Sequence, residues 1–367
     1  MHESKENSHR RDLALAVLLI GLGALSSTLT AQEVVTRSNE KPTGKTTDYW
    51  AGATAAPAPM PLRTKEGAPV MPDQFAPAGP SGSVQGSLPG VAAGAFIPQV
   101  SLGSGTPNPQ IFGGTEWYPY PPPHTRYFPR FGNTFYPHST LGKLFFSDGP
   151  NNFVCSAAAV VCNGLNLVMT AGHCCAAGDG VTWFDNFQFV PACFGANCNL
   201  GGAGAAPFGV WDWESVTVPT AWFNFGDLGR DVCFLETAPN GSFQELHQVT
   251  GSLGLAWDQP QPVHFTMTGW PAALPFSGAN LVFELGSTAD LDGSMFPNTL
   301  GVGNGMTGGS SGGAWIKDYK QGTGTVNQFW NGLNSYKYIS PARPGEMYGP
   351  YIDTTIFSIW DATMACQ

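Results

Sequence analysis

The chain has 367 residues, of which only 11% are charged, and it contains 47 Gly and 31 Pro. This composition suits many short strands joined by turns better than long surface helices, so it favours an all-β fold. From Arg130 onward 7 Lys and Arg face 17 Asp and Glu, and an acidic surface without a basic run argues against a nucleic-acid partner.

The N-terminus has the three-part layout of a secretory signal peptide. Arg10 and Arg11 precede an uncharged run over residues 13–25, and small residues follow up to Ala31, where we expect cleavage. An uncleaved membrane anchor is the alternative, because about 20 apolar residues can span a bilayer. Since the last third of the stretch is rich in Ser and Thr, we interpret residues 1–31 as a signal peptide. The mature protein is then secreted, into the medium or the periplasm, without a membrane association.

Residues 32–129 form a segment of different composition. Between Lys41 and Pro129 lie 17 of the 31 Pro residues and no Cys. The segment lacks hydrophobic periodicity, so we predict a largely irregular, Pro/Gly-rich propeptide or linker, followed by a folded domain at residues 130–367. As a propeptide it would keep an enzyme inactive until cleaved, whereas a flexible spacer would have no regulatory role. The sequence leaves both readings open.

All eight Cys lie in the predicted domain, at positions 155, 162, 174, 175, 193, 198, 233 and 366. An even number confined to one region of an exported chain indicates a disulfide framework. The run His173-Cys174-Cys175, with Cys193 and Cys198, also offers imidazole and thiolate ligands for zinc. Export favours disulfides over thiolates and no C-x-x-C pair occurs, so we expect neither a metal nor another cofactor.

Three motifs in the predicted domain carry candidate chemistry, and the first contains His173. A strand-like apolar run at residues 167–170 ends in the small residues Ala171 and Gly172, followed by His173 and Cys174. The small residues allow a sharp turn, and a disulfide at Cys174 would fix it. Because a general base must be held within hydrogen-bond reach of its nucleophile, we predict that His173 is the base.

The second motif places Asp231 at the head of an apolar strand. A carboxylate in that position is partly buried, where it accepts a hydrogen bond from the base imidazole and fixes its tautomer. Asp227, in a Gly-flanked loop four residues earlier, is the competitor. We choose Asp231 because a loop aspartate is more often solvated or closes an Asx-turn.

The third motif is Thr307–Trp315 (TGGSSGGAW), which contains Ser311. Its glycines permit unusual backbone angles and let a substrate carbonyl approach the main chain, where the N–H groups of Gly309 and Ser311 form an oxyanion hole. Alone, the motif would be a flexible Gly/Ser loop. It also fits the G-x-S-x-G elbow of α/β-hydrolases, in which Asp and then His follow the serine, but no His occurs after His264. The elbow is therefore excluded.

TAGHC around His173 and GSSGG around Ser311 lie 138 residues apart, and with Asp231 between them they resemble the trypsin/chymotrypsin superfamily of serine endopeptidases. The run YPHSTLGKLFF at residues 136–146 is similar to the first strand of the glutamyl-endopeptidase-like branch. The resemblance covers about residues 130–365. It implies an all-β fold of two packed six-stranded antiparallel Greek-key barrels (chymotrypsin-like) with a C-terminal helix. It further implies hydrolysis of protein or peptide substrates by a His-Asp-Ser triad, and we expect a monomer.

The resemblance also implies a disulfide between Cys155 and Cys174. Cys193 and Cys198 are close enough in sequence to close a small loop, and the pairing of the other four Cys stays open. Ser310 stands where many relatives have Asp or Asn before the nucleophile. Activation by pairing of such an acid with a new N-terminus is therefore not expected.

By the same resemblance, two segments wall the primary specificity pocket: Gly305, Met306 and Thr307 before the nucleophile, and Asn334, Ser335 and Tyr336 on a later strand. No acid lies at the pocket base and no His on the later strand, so neither a basic nor a glutamate preference is predicted. Lys337 could attract an acidic side chain, although we expect a surface lysine. The alternative function is a catalytically inactive protease-like module that binds proteins or cell surfaces, and the intact triad argues against it.

Overall fold

The computed structural model describes residues 34–41, 45–63, 79–90, 101–102, 125–127, 134–195, 197–200, 205–292, 299–320, 325–339 and 345–363. They belong to one unit of the chain, which begins at Ala31. The predicted signal peptide and Cys366 lie outside the described residues. In the described ranges, none of the helices is both long and apolar enough to cross a membrane.

Strands make up most of the regular structure. They are β1 (Val34–Ser38), β2 (Ala56–Pro57), β3 (Leu62–Arg63), β4 (Gly82–Val84), β5 (Ser101–Leu102), β6 (Thr125–Tyr127), β7 (Leu141–Asp148), β8 (Asn151–Ala159), β9 (Leu167–Thr170), β10 (Asp185–Pro191), β11 (Trp211–Pro219), β12 (Cys233–Thr237), β13 (Gly254–Trp257), β14 (His264–Gly269), β15 (Val282–Asp292), β16 (Thr299–Gly303), β17 (Ala314–Lys317), β18 (Phe329–Leu333), β19 (Lys337–Tyr338) and β20 (Glu346–Pro350). The described helices are short: α1 (Lys45–Trp50), α2 (Thr220–Phe225), α3 (Leu246–Thr250) and α4 (Thr354–Asp361).

Six strands of the first sheet close into an antiparallel barrel. Their order is β11-β10-β7-β8-β9-β12, and β12 pairs back with β11. The interior is filled by apolar side chains, among which Leu144, Val168 and Phe189 are fully buried. Closure satisfies the backbone groups on both sides of each strand, so short strands suffice to form a stable layer.

The second sheet has the order β20-β16-β15-β14-β17-β18-β13-β4-β5, with β6 added to β15. Its pairings are antiparallel except that β13 joins β18 in parallel. A separate apolar cluster, which includes Phe265, Met267 and Trp315, fills it. After β20 the chain enters α4, where the Asp353 carboxylate caps the N-terminus by accepting from the Ile356 N–H at 3.0 Å. The predicted chymotrypsin-like fold class with a C-terminal helix is confirmed.

Described parts of residues 32–129 add short strands to both sheets. β1 pairs with β11, β2 with β8, β4 with β13 and β6 with β15. Trp50 of α1 is fully buried, and its indole N–H donates to the Asn186 carbonyl at 2.8 Å. These strands are two to five residues long, too short to show a periodicity, and they gain their hydrogen bonds from strands of the main fold. Whether the segment is a propeptide or a linker stays a prediction.

Candidate active site

His173 and Asp231 meet at one end of the closed barrel. His173 lies in the 3-10 turn Gly172–Cys174, which follows β9. Asp231 lies two residues before Cys233, the first residue of β12. β9 and β12 are antiparallel neighbours, with Thr170 opposite Cys233. The end of one strand therefore lies beside the start of the other, which brings two residues 58 positions apart into contact.

Asp231 is fully buried and accepts three hydrogen bonds. The donors are the His173 N–H at 2.7 Å, the His173 ring Nδ1 at 2.7 Å and the Ser335 hydroxyl at 2.5 Å. A carboxylate without contact to water needs such donors, because an unpaired buried charge is costly. Since the carboxylate only accepts, Nδ1 carries the ring proton and Nε2 is left able to take one.

Asp227 has a different partner. Its carboxylate accepts from the Gly229 N–H at 2.9 Å and caps the turn that leads to Asp231, and burial raises its pKa. Arg230, the residue directly before Asp231, forms a two-pronged ion pair with Asp353 at 2.8 and 3.2 Å. That pair fastens the loop before Asp231 to the start of α4.

Disulfides flank the histidine turn on both sides. Cys155–Cys174 ties the turn to β8, as the resemblance implies, and Cys175–Cys233 ties it to β12. The second pairing was open in the sequence, because nothing local shows that β9 and β12 are neighbours. With these two bonds the backbone around His173 is held by covalent links to two adjacent strands.

The third disulfide, Cys193–Cys198, closes the small loop expected from the spacing. Together the three bonds use each of the Cys sulfurs that the zinc alternative requires. A sulfur in a disulfide is not a thiolate, so the zinc alternative has lost its thiolate ligands.

Ser311 lies in the loop between β16 and β17, and two glycines shape that loop. Gly309 and Gly312 have φ values of 92° and 77°, a left-handed region that favours glycine. A Cβ on Gly312 would lie 2.0 Å from the Thr170 hydroxyl, so the loop approaches the end of β9 as closely as a backbone can. The Ser311 carbonyl also accepts from the Ser156 N–H at 2.8 Å. These contacts place the loop beside the histidine turn.

Asn334 binds the Ser311 loop through two hydrogen bonds. Its backbone carbonyl accepts from the Gly312 N–H at 2.8 Å, and its side-chain amide donates to the Ser310 carbonyl at 3.1 Å. The next residue is Ser335, which binds Asp231. The two residues that follow β18 therefore link the Ser311 loop to the Asp231 carboxylate, a connection that the sequence did not reveal.

Ser311 Oγ and His173 Nε2 are both buried, and neither has a hydrogen-bond partner among the described residues. The Ser311 N–H also has no acceptor within the described ranges. Most buried polar atoms in folded proteins are paired. An unpaired hydroxyl, imidazole nitrogen and amide on adjoining loops together form a site able to receive a reacting carbonyl group.

The other predicted pocket residues also bind partners in different parts of the fold. Met306 is fully buried in the apolar cluster of the second sheet. The Thr307 hydroxyl donates to the Ala273 carbonyl at 2.8 Å, and the Tyr336 hydroxyl donates to Asp292 at 2.7 Å. Their role in specificity stays a prediction.

Gly305, at the predicted pocket wall, lies beside a group of charges from distant segments. Its N–H donates to the fully buried Glu284 carboxylate at 2.6 Å, which also pairs with Arg126 at 2.5 Å. Lys337 is not the surface lysine that we expected, because its ammonium donates to the Asn304 carbonyl at 2.6 Å and burial lowers its pKa to about 8. No local pattern announces these contacts, since the partners lie 33 to 158 residues apart.

No protein-family model and no curated protein matches the chain. Solved structures do match. The thermostable serine protease AL20 from an extremophilic microorganism is 33% identical over 61% of this chain and 95% of its own, with a TM-score of 0.53. The protease Anisep from Arthrobacter nicotinovorans is 34% identical over 60% of this chain and 94% of its own, with a TM-score of 0.52. With this fold and this degree of identity, the chain belongs to the trypsin/chymotrypsin-like serine proteases and is a serine endopeptidase.

Proposed function

We propose that this endopeptidase is exported and hydrolyses peptide bonds through a triad of Ser311, His173 and Asp231. The observation that carries the proposal is the buried network in which Asp231 binds both the His173 ring and Ser335. Asn334, the residue before Ser335, donates a hydrogen bond to the Ser311 loop. Catalytic hydrogen bonds are often open in unliganded enzymes, so the missing Ser311–His173 bond is compatible with this role.

In the first half-reaction the Ser311 oxygen attacks the substrate carbonyl carbon while its proton passes to His173 Nε2. Asp231 keeps the proton on Nδ1 and stabilises the imidazolium. The carbonyl oxygen gains negative charge and accepts from the N–H groups of Gly309 and Ser311. As the C–N bond breaks, His173 returns the proton to the leaving amine, and an acyl-enzyme ester remains.

In the second half-reaction a water molecule gives its proton to His173 and attacks the ester carbonyl. The carboxylic acid product leaves and Ser311 regains its proton. Fixed donors and a base held by two disulfide-anchored strands cost little reorganisation during these steps, which is the main physical source of rate enhancement in such sites.

Export, substrates and assembly belong to the proposal as well. The signal-like residues 1–31 and the three disulfides support an oxidising compartment. We propose protein or peptide substrates, a monomeric enzyme, and no nucleic-acid or membrane partner after signal cleavage. A propeptide role for residues 32–129 makes the full chain a zymogen. Placement in the glutamyl-endopeptidase-like branch stays a prediction.

Fluorophosphonate labelling of the processed protein tests the triad. We expect a phosphonylated Ser311, found by mass spectrometry, and at least a thousandfold slower labelling in His173→Ala, because the serine loses its base. His264→Ala is the matched control, since His264 is exposed and bonds only Ser287 among the described residues. If the processed protein takes no label, or labels equally in His173→Ala, the proposed triad is wrong.

A further inference from the structure

A short stretch of the N-terminal segment crosses the face of the molecule that carries Ser311. β2 runs parallel to β8, with Pro57 opposite Val154, and the Ala58 N–H donates to the Val154 carbonyl at 2.9 Å. β8 also contains Cys155, whose disulfide partner is next to His173. The stretch therefore enters on the histidine side of the site.

The same stretch leaves on the side of Ser335. β3 runs parallel to β19, with the Lys337 N–H donating to the Pro61 carbonyl at 3.0 Å. The Ile339 N–H donates to the Arg63 carbonyl at 2.7 Å. Strand addition of this kind uses backbone hydrogen bonds for affinity, and it is one of the general ways in which proteins bind extended peptides.

Between these two anchors the backbone passes over the Ser311 loop. The Ala58 carbonyl accepts from the Gly309 N–H at 3.3 Å. A Cβ built on Gly308 would lie 2.9 Å from the same oxygen. The carbonyl thus occupies the donor that the proposed mechanism reserves for the oxyanion, while Ser311 beneath it has no exposed surface.

Two side chains of the stretch, Met60 and Leu62, differ sharply in exposure. Met60 is 8% exposed and belongs to the apolar cluster that contains Met306 and Met347. Leu62, two residues later, is 61% exposed. An unbranched apolar side chain therefore sits at the predicted pocket wall, and the next-but-one side chain faces solvent.

The stretch is also built to resist hydrolysis. The bond after the Ala58 carbonyl leads to Pro59, so the leaving group would be a ring nitrogen. The part beyond that bond stays attached to β19 through Pro61 and Arg63. A leaving amine held beside its acyl-enzyme has a high effective concentration and reforms the bond rather than departing.

We propose that Ala58–Arg63 is an intramolecular ligand of the substrate cleft, which blocks the oxyanion donor with the Ala58 carbonyl and is anchored by Met60 in the apolar cluster that contains Met306. The proposal rests on the proposed function, because it assumes that Ser311 and Gly309 act on substrate. It goes beyond that function by naming the residues that keep the full chain inactive.

The test compares fluorophosphonate labelling rates of four proteins: the full chain, its Met60→Asp and Leu62→Asp variants, and the protein freed of residues 32–110. The last is made by inserting a site for a specific protease between Gln110 and Ile111 and separating the products. A carboxylate at position 60 cannot stay in an apolar cluster, whereas one at position 62 faces water. We expect the full chain and Leu62→Asp to label slowly. Met60→Asp and the freed protein should label at least about tenfold faster, a difference of 1.4 kcal/mol.

A synthetic peptide of residues 55–63 (AAPAPMPLR) gives a second measurement that does not depend on how the Met60→Asp chain folds. It should slow labelling of the freed protein without being cleaved, and the same peptide with Asp in place of Met should not. If the full chain labels as fast as the freed protein, or if the peptide does not compete, the inference is wrong while the proposed function stands. If neither the freed protein nor the Met60→Asp chain takes label, although both unfold cooperatively in urea, the proposed function itself fails.

Discussion

Asp231 accepts hydrogen bonds from three donors at a position with no solvent-exposed surface, and the donors have different roles. The two from His173 set the orientation and tautomer of the ring, while the Ser335 hydroxyl balances the remaining lone pairs of the carboxylate. Ser335 was predicted from the sequence as a pocket wall. Its partner lies 104 residues away, so no local pattern could reveal the contact. His173 and Ser311 could be chosen as candidates because small residues shape the turns around them, and that requirement is visible in the sequence.

Ser335→Ala should therefore reduce turnover rather than substrate binding. Removing one hydrogen bond to a buried carboxylate costs about 1.5 to 3 kcal/mol, which corresponds to a fall in kcat of roughly 10- to 100-fold with little change in KM. Steady-state kinetics on a peptide substrate measures this, with Ser287→Ala as a control because Ser287 bonds the exposed His264. A loss of stability with unchanged kcat would contradict the assignment.

His247 makes the folding stability depend on pH. It is fully buried in α3, its ring donates to the Leu167 carbonyl at 2.9 Å, and burial lowers its pKa to about 4 from 6.5. The unfolded chain then binds a proton more readily than the folded one, so stability falls as the pH drops from about 6.5 towards 4. Between pH 7.5 and 5.0 this residue should remove about 2 kcal/mol.

Urea unfolding at the two pH values, for the wild type and His247→Gln, measures that contribution. The variant keeps an amide donor for the Leu167 carbonyl but does not titrate, so its loss of unfolding free energy on acidification should be smaller by about 2 kcal/mol. Equal losses in the two proteins would show that His247 is not responsible.

At the scale of elements, the closed barrel brings His173 and Asp231 together through one strand pairing and one disulfide. β9 and β12 are neighbours, and the Cys175–Cys233 bond closes a loop of 58 residues between them. All-β class, the cysteine framework and the C-terminal helix were predictable from composition, spacing and resemblance. The N-terminal strands were not, because each depends on a partner strand elsewhere in the chain.

The loop lengths of the disulfides lead to a graded prediction. Replacing both Cys175 and Cys233 by Ala should lower the unfolding free energy by about 4 kcal/mol, because the unfolded chain regains the entropy of a long loop. Replacing Cys193 and Cys198, whose separation is 5, should cost about 2 kcal/mol. Denaturant unfolding of the two double variants checks the order, and a larger loss for the short loop would contradict it.

At the scale of the whole molecule, the N-terminal segment contacts both sheets and the site between their loops. β1 and β2 add to the first sheet, whereas β4 and β6 add to the second. Such a segment can stabilise the arrangement of the two sheets and cover the site at the same time. Its composition indicates only the lack of an independent core. In the described part of the segment, Trp50 packs into the core of the main domain.

The pairing of Arg126 with Glu284 limits where the mature chain can begin. Glu284 is fully buried, and Arg126 lies on β6, four residues before the predicted domain start at residue 130. A buried carboxylate that loses its cation costs about 3 to 5 kcal/mol. A protein trimmed to residue 130 should thus unfold at a clearly lower urea concentration than one that starts upstream of Thr125. N-terminal sequencing of the naturally processed enzyme should find its first residue ahead of Thr125, which makes β6 a permanent part of the enzyme and leaves the removable part entirely upstream of it.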